Sequence, residues 1–242
     1  MAVLLTNSVA TNGINKTVQM LNQNVSSLDA IESGIRLVES DPEAVWVGYG
    51  GHPNLLGTVE LDAGIMDGLT LNAGAVGALS GYLHPISVAR NVMEKLPHVF
   101  LAGNGAAKFA KDCNAESGDN LTMRTCKDWN DWLNNNRNWP DVSLIRLSML
   151  TANNKTAKGT TIFLAQDNDG NFSAGSSSSG WSFKYPGRLG DSPVIGSGIY
   201  ADNRYGAAAC TGMGELTLRS NTARSVILYL KMNMTLKEAC YE

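Results

Sequence analysis

Histidine is scarce in this chain: three residues in 242, His52, His84 and His98, each beside a proline. No Gly-x-Ser-x-Gly elbow is present either, so neither the nucleophile nor the base of a Ser-His-Asp hydrolase stands out. The four cysteines, Cys113, Cys126, Cys210 and Cys240, make no CxxC pair, which argues against zinc and leaves no metal site to assign. Cys113 and Cys126 could close a short loop in an oxidising compartment, and four free thiols is the equal alternative. Charged residues are 17% of the chain, below the roughly 25% of soluble domains. The 19 basic and 22 acidic side chains leave a net charge of −3 with no basic stripe, which argues against nucleic acid as a partner. The longest run without charge, 68–89, is broken by Asn72, several glycines, His84 and Pro85; it reads as core strand and loop, not as a membrane span. Residues 1–8 lack the basic start of a signal peptide.

What is present is glycine, 25 residues, with 43% hydrophobic residues and five tryptophans, a composition that folds. The length admits one domain or two. Asn-x-Ser/Thr triplets begin at Asn15, Asn24, Asn120, Asn154, Asn171 and Asn233, a modest pointer to the secretory pathway.

Local patterns predict the elements. A strand is expected at 2–5. Ser26-Ser27-Leu28-Asp29 starts a helix whose apolar face is Leu28, Ile31, Ile35 and Val38, and Asp41-Pro42 stops it. Strands are expected at 58–61 and 69–79, turning at Asp67-Gly68, then a helix from Pro85 ended by Pro97. A strand at 99–102 leads into a helix near 106–111. Residues 112–158, with Trp129, Trp132 and Trp139, read as a surface excursion or one short helix and a loop. Asp167-Asn168-Asp169-Gly170 turns a strand at 160–166 into one at 172–175, and 176–203 reads as loop. A strand at 206–211, a helix at 216–230 and a capping box at Thr235 close the reading. Elements arriving in pairs favour a layered α+β fold over alternating βαβ units.

The candidate chemistry narrows quickly. Gly103-Asn104-Gly105 lacks phosphate-loop spacing and reads as a strand-to-helix turn. Asp167 and Asp169 lie in a hairpin turn, where aspartate binds its own backbone. A hydroxyl can still be activated without histidine when it belongs to an N-terminal residue whose α-amine is the base, which requires a cut just before it. Gly159-Thr160 suits such a cut, since glycine accepts a strained backbone.

The run Gly187-Arg188-Leu189-Gly190-Asp191-Ser192-Pro193-Val194-Ile195-Gly196-Ser197-Gly198, continued by Tyr200-Ala201-Asp202-Asn203, resembles a signature of the glycosylasparaginases and related type 2 asparaginases. Ala209-Cys210-Thr211-Gly212-Met213-Gly214-Glu215, Gly48-Tyr49-Gly50-Gly51, Leu61-Asp62-Ala63-Gly64-Ile65-Met66-Asp67-Gly68 and Pro85-Ile86-Ser87-Val88-Ala89-Arg90 resemble others, in order along the chain.

The resemblance implies one N-terminal-nucleophile hydrolase domain over 1–242, a four-layer αββα sandwich. It divides into an α-chain-like part (1–159) and a β-chain-like part (160–242). Counting back from Arg188 sets Thr160 as nucleophile, with Thr161 the second choice because Thr-Ile is the family's usual pair. Arg188 would hold a substrate α-carboxylate and Asp191 its α-ammonium. Thr211 and Gly212 would make the oxyanion hole, and Ser178 stands where the family has a second threonine. Lys158-Gly159 replaces the family's His-Asp, and Ser8 stands where glycosylasparaginases carry a tryptophan beside the substrate. The chain stops inside a helix that the family follows with further strands, so the expected sandwich lacks its C-terminal strands. The implied activity is cleavage of the GlcNAc–asparagine amide in glycoprotein degradation. An uncut protein without activity, or an L-asparaginase or isoaspartyl peptidase, stands as the alternative. The reading calls for a small-molecule substrate and no cofactor, with a homodimer or heterotetramer of cut chains in the lysosome or secretory pathway.

Overall fold

The computed structural model describes residues 1–136, 141–151 and 159–242. The elements run β1 (Val3–Thr6), a 3-10 turn (Ser8–Ala10), α1 (Thr11–Asn22), α2 (Ser27–Glu39), β2 (Leu61–Asp67), β3 (Ala73–Leu79), α3 (Pro85–Lys95), β4 (Phe100–Ala102) and α4 (Gly103–Asp112). They continue α5 (Met123–Asn135), α6 (Leu144–Thr151), β5 (Thr161–Gln166), β6 (Phe172–Ser178), β7 (Ile199–Asp202), β8 (Gly206–Ala209), α7 (Gly214–Ser220), α8 (Thr222–Lys231) and α9 (Leu236–Ala239). The fold is α+β.

Six strands form one mixed sheet in the order β1-β5-β6-β2-β3-β4, antiparallel except for the β3–β4 pair. Side chains alternate across a strand, so neighbouring residues serve opposite faces. Ile65 and Phe163 join Ile31, Ile35 and Ile86 in the core under α1, α2 and α3. Met66, Leu164 and Ala174 face the other way and pack on Ile199 and Ala201 of the β7–β8 hairpin. Outside that hairpin, Ala223 and Ile227 of α8 pack against Ala208.

Helix α2 follows its sequence pattern, with Ser26 accepting the Asp29 N–H at 3.2 Å as its cap. Helix α1 has no such pattern because its inner face is Gly13, Thr17 and Leu21. A Cβ on Gly13 would lie 2.2 Å from the Gly34 carbonyl oxygen, so the two helices touch through backbone rather than large apolar side chains. Strand β2 begins at Leu61, where the first strand was expected to end, and runs through Asp67. Asp67 carries the turn itself: its carboxylate accepts the Leu69 N–H (3.0 Å) and the Thr70 hydroxyl (2.6 Å).

The excursion at 112–151 is two helices rather than one. Thr122 and Thr125 cap α5 reciprocally, and Trp129, Trp132 and Leu133 close over Leu55, Leu147 and Phe183. Trp139, Lys158 and the triplet at Asn154 lie outside the described residues. The serine run expected as loop is strand through Ser178, because β2 pairs with it along its length, Asp62 opposite Ser178. The helix expected at 216–230 is broken at Asn221, which adopts the left-handed conformation (φ 47°) between α7 and α8. The four cysteines are free thiols. Asn120 is buried, so its triplet cannot carry a glycan in the folded chain. No helix among the described residues is long and apolar enough to cross a membrane.

Candidate active site

Thr160 immediately precedes β5, and three sets of contacts define its place. Asn7, next to β1, donates to the Thr160 carbonyl at 2.6 Å and accepts from the Ile162 N–H at 3.5 Å, so its side chain spans the strand start. Gly159 sits at φ +112° and packs on Trp46, where a Cβ would come within 1.9 Å of the indole's Cβ and Cγ. Only glycine fits before Thr160 here. The Thr160 hydroxyl lies 3.2 Å from the Ser192 hydroxyl, both residues being buried.

Strand alternation separates the two threonines. Thr161 pairs with Ser177 and shares its face with Phe163, under the helices. Its hydroxyl is fully buried and has no hydrogen-bond partner among the described residues. Thr160 faces the opposite side, where Asp62, Ser178, Gly180, Trp181, Arg188, Gly190, Asp191, Ser192 and Gly212 line a cavity of about 10 Å³, room for one water.

Arg188 is largely buried and held by its neighbours. Its Nε and Nη2 donate to Glu215 Oε1 at 3.0 and 2.8 Å, and its guanidinium stacks on the Trp181 ring, 4.6 Å from the centroid. Nη1 is turned toward Gly180 and Gly190, on the cavity side. Asp191 is buried against Gly214, and its Oδ2 has no partner among the described residues. Desolvation raises its carboxyl pKa above the ordinary aspartate value, opposed by the Thr217 hydroxyl and Arg188. Burial beside Asp191 also pushes the Cys210 thiol up to about 11, so it is no thiolate nucleophile at neutral pH.

Of the residues expected from the sequence, Thr160, Ser178, Arg188, Asp191 and Gly212 meet in this cavity, with Gly159 against Trp46. Thr211 is exposed and does not line it. The Ser178 hydroxyl accepts the Gly180 N–H at 2.8 Å. Ser8 is exposed and lines a neighbouring cleft that also exposes Trp46.

Three residues carry contacts that the sequence reading gave no role. Ser192 is one. The others are Asp62 and Lys184, a fully buried pair with Nζ 3.6 Å from Oδ2. Asp62 Oδ1 accepts the N–H of Ala78, which sits at φ 48° in the β3 bulge, and Lys184 Nζ donates to the Glu60 carbonyl. Lys184→Met should leave Asp62 buried without its counter-charge and cost about 3–5 kcal/mol, read as a lower urea midpoint.

An α+β sheet that gathers a threonine, two serines, an arginine and two aspartates round one small polar cavity has the make-up of an amide-hydrolase pocket. A family model described as "Asparaginase" matches residues 6–242, and the chain belongs to the asparaginase family of amide hydrolases. It is 40% identical over 224 residues to an N(4)-(beta-N-acetylglucosaminyl)-L-asparaginase of Elizabethkingia miricola, covering 93% of this chain and 62% of the relative. It is 38% identical over 224 residues to an isoaspartyl peptidase/L-asparaginase of Mus musculus (91% and 65%). A plant-type L-asparaginase of Thermococcus kodakarensis matches at 36% over 220 residues (88% and 70%). The chain thus spans under two thirds of the length of the first two of these relatives.

Proposed function

We propose that this chain cuts itself between Gly159 and Thr160 and then uses Thr160 as an N-terminal nucleophile to hydrolyse the amide joining N-acetylglucosamine to asparagine. The observation that carries this reading is the Thr160 hydroxyl sharing one buried cavity with Arg188 and Asp191. A free asparagine unit brings an α-carboxylate for the Arg188 fork and an α-ammonium for Asp191, and its side-chain carbonyl is then left for Thr160. The α-amine freed by the cut takes the hydroxyl proton as Oγ1 adds to the amide carbon. That proton passes to the departing nitrogen, leaving an acyl ester on Thr160 that water hydrolyses to aspartate. The Gly212 N–H, with the Thr211 hydroxyl turned inward, would hold the developing oxyanion.

The helices on one face of the large sheet, the β7–β8 hairpin on the other and α8 beyond it support a four-layer αββα sandwich as a single domain, divided by the cut into 1–159 and 160–242. Assembly of the cut chains as a homodimer or heterotetramer, and a lysosomal or secretory location, belong to the same reading. A second reading, an uncut protein that keeps the fold, is favoured by Gly159, which places no carboxylate beside the bond to be cut.

Intact-mass measurement of the expressed chain decides between them. Two fragments beginning at Met1 and Thr160 are expected, and a single uncut mass after long incubation sinks the first reading. Turnover of glycosylasparagine, asparagine and an isoaspartyl dipeptide by the same sample ranks the substrates.

A further inference from the structure

We infer that Ser192 is the hydroxyl that sets the attack geometry of Thr160. The inference rests on the proposed role of Thr160 and concerns which side chain holds it.

Before the cut, the nitrogen of Thr160 is an amide and cannot serve as base. The side-chain hydroxyl then depends on its surroundings, and the hydrogen bond it makes runs to Ser192 Oγ at 3.2 Å. Ser178 Oγ accepts the Gly180 N–H at 2.8 Å and makes no hydrogen bond to the Thr160 hydroxyl among the described residues. Ser192 is itself fixed from several sides. Its carbonyl accepts the Ser176 hydroxyl at 2.7 Å. The backbone of Gly64 comes so close that a Cβ there would lie 2.9 Å from the same carbonyl oxygen. Asp191 ahead of it closes a turn by accepting the Val194 N–H at 2.8 Å, and Pro193 behind it stiffens the chain. Ser192 is 3% exposed, so its hydroxyl is shielded from bulk solvent.

A rigid hydroxyl of this kind selects one Thr160 side-chain rotamer, with Oγ1 held in the cavity that also contains Arg188 and Asp191. Among the described residues Ser192 Oγ bonds to no base that could receive a proton, so it acts by hydrogen bonding and not as a terminal proton acceptor. It therefore serves both reactions of Thr160. In the cut, Oγ1 adds to the Gly159 carbonyl, the Gly159–Thr160 amide bond breaks with the proton passing to the leaving Thr160 nitrogen, and water hydrolyses the ester so formed. In the second, Oγ1 attacks a substrate amide with the freed α-amine as base. Substrate carboxylate and ammonium binding are left to Arg188 and Asp191, so Ser192 is expected in kcat and in the rate of the cut, and not in KM.

The test uses the full chain as wild type, Ser192→Ala and Ser192→Thr, with two independent readouts. The first is the Thr160 rotamer, from three-bond couplings to its methyl carbon in isotope-labelled protein, compared between samples of the same cut state. The wild type and Ser192→Thr should show one rotamer, and Ser192→Ala an average. The second is rate: Ser192→Ala should slow the cut and kcat by roughly 10-fold with KM within about twofold, and Ser192→Thr should recover most of the loss. A single unchanged rotamer in Ser192→Ala overturns the inference whatever the activity. An unaltered cut rate and kcat in a Ser192→Ala protein that is active also overturns it. A wild type that turns over no amide, while its rotamer still depends on Ser192, defeats the hydrolase reading and leaves the placement of Thr160 by Ser192 standing.

Discussion

Thr160→Ala yields one uncut chain of 25.8 kDa without amide hydrolase activity, whereas Thr161→Val is cut normally and turns over within a fewfold of wild type: this is the largest expected contrast. Thr160 supplies the attacking oxygen and, after the cut, the base, so its loss removes both halves of the chemistry. Thr161 lies on the helix-covered face of β5, and its hydroxyl is buried without a partner among the described residues. Replacing it by valine removes an unsatisfied polar group from a strand position where a β-branched side chain fits. Stability should hold or rise by about 1 kcal/mol. Mass spectrometry and thermal unfolding of the two variants settle which threonine is the nucleophile. A Thr161 variant that stays uncut while Thr160→Ala is processed would reverse the assignment.

Asp191→Asn should lose activity and gain stability together. In the native protein this carboxyl is buried with one oxygen unpartnered among the described residues, and desolvation raises its pKa. Below the ordinary aspartate range it is protonated in both folded and unfolded chains and costs nothing. As pH rises, the unfolded carboxyl ionises first. The folded form lags until its own higher pKa, so stability falls across that window and the deficit persists above it. Asparagine cannot ionise and escapes this cost, so its melting temperature at neutral pH should exceed wild type by about 2–4 °C, the difference closing in acid. The same change removes the charge proposed to meet the substrate α-ammonium, and kcat/KM should fall about 100-fold. In the wild type the acid limb of kcat/KM should lie above the ordinary aspartate range. Equal melting temperatures at neutral pH, or an unaltered kcat/KM, contradict the proposed role.

Most of the scaffold around these residues is legible in local sequence because local forces decide it. The Ser26 cap, Pro85 at a helix start and the Asp167 turn, whose carboxylate accepts the N–H groups of Asp169 and Asn171, each act within four residues. The differences arise where a distant partner decides. Ser176 to Ser178 is strand because β2 lies alongside, and α1 is a helix whose face is read only against Gly34. In the site, the resemblance of 187–198 covers Arg188 and Asp191, and Ser192 lies in the same run. What singles out Ser192 is a contact across 32 positions of sequence, which no spacing reveals. The Asp62–Lys184 pair is hidden for the same reason: each residue alone looks like surface charge, and burial appears only when β2 and the 180–190 loop meet.

The Gly159–Trp46 contact makes positions 46 and 159 a single steric choice. A tryptophan at 46 leaves space for no side chain before the nucleophile. A side chain at 159 meets two obstacles, the Trp46 indole and a backbone at φ +112° that L residues rarely adopt, so shrinking 46 alone leaves a void and still does not admit a carboxylate without strain. The residue ahead of the bond is thus held by its neighbour's bulk, independently of any demand from the chemistry.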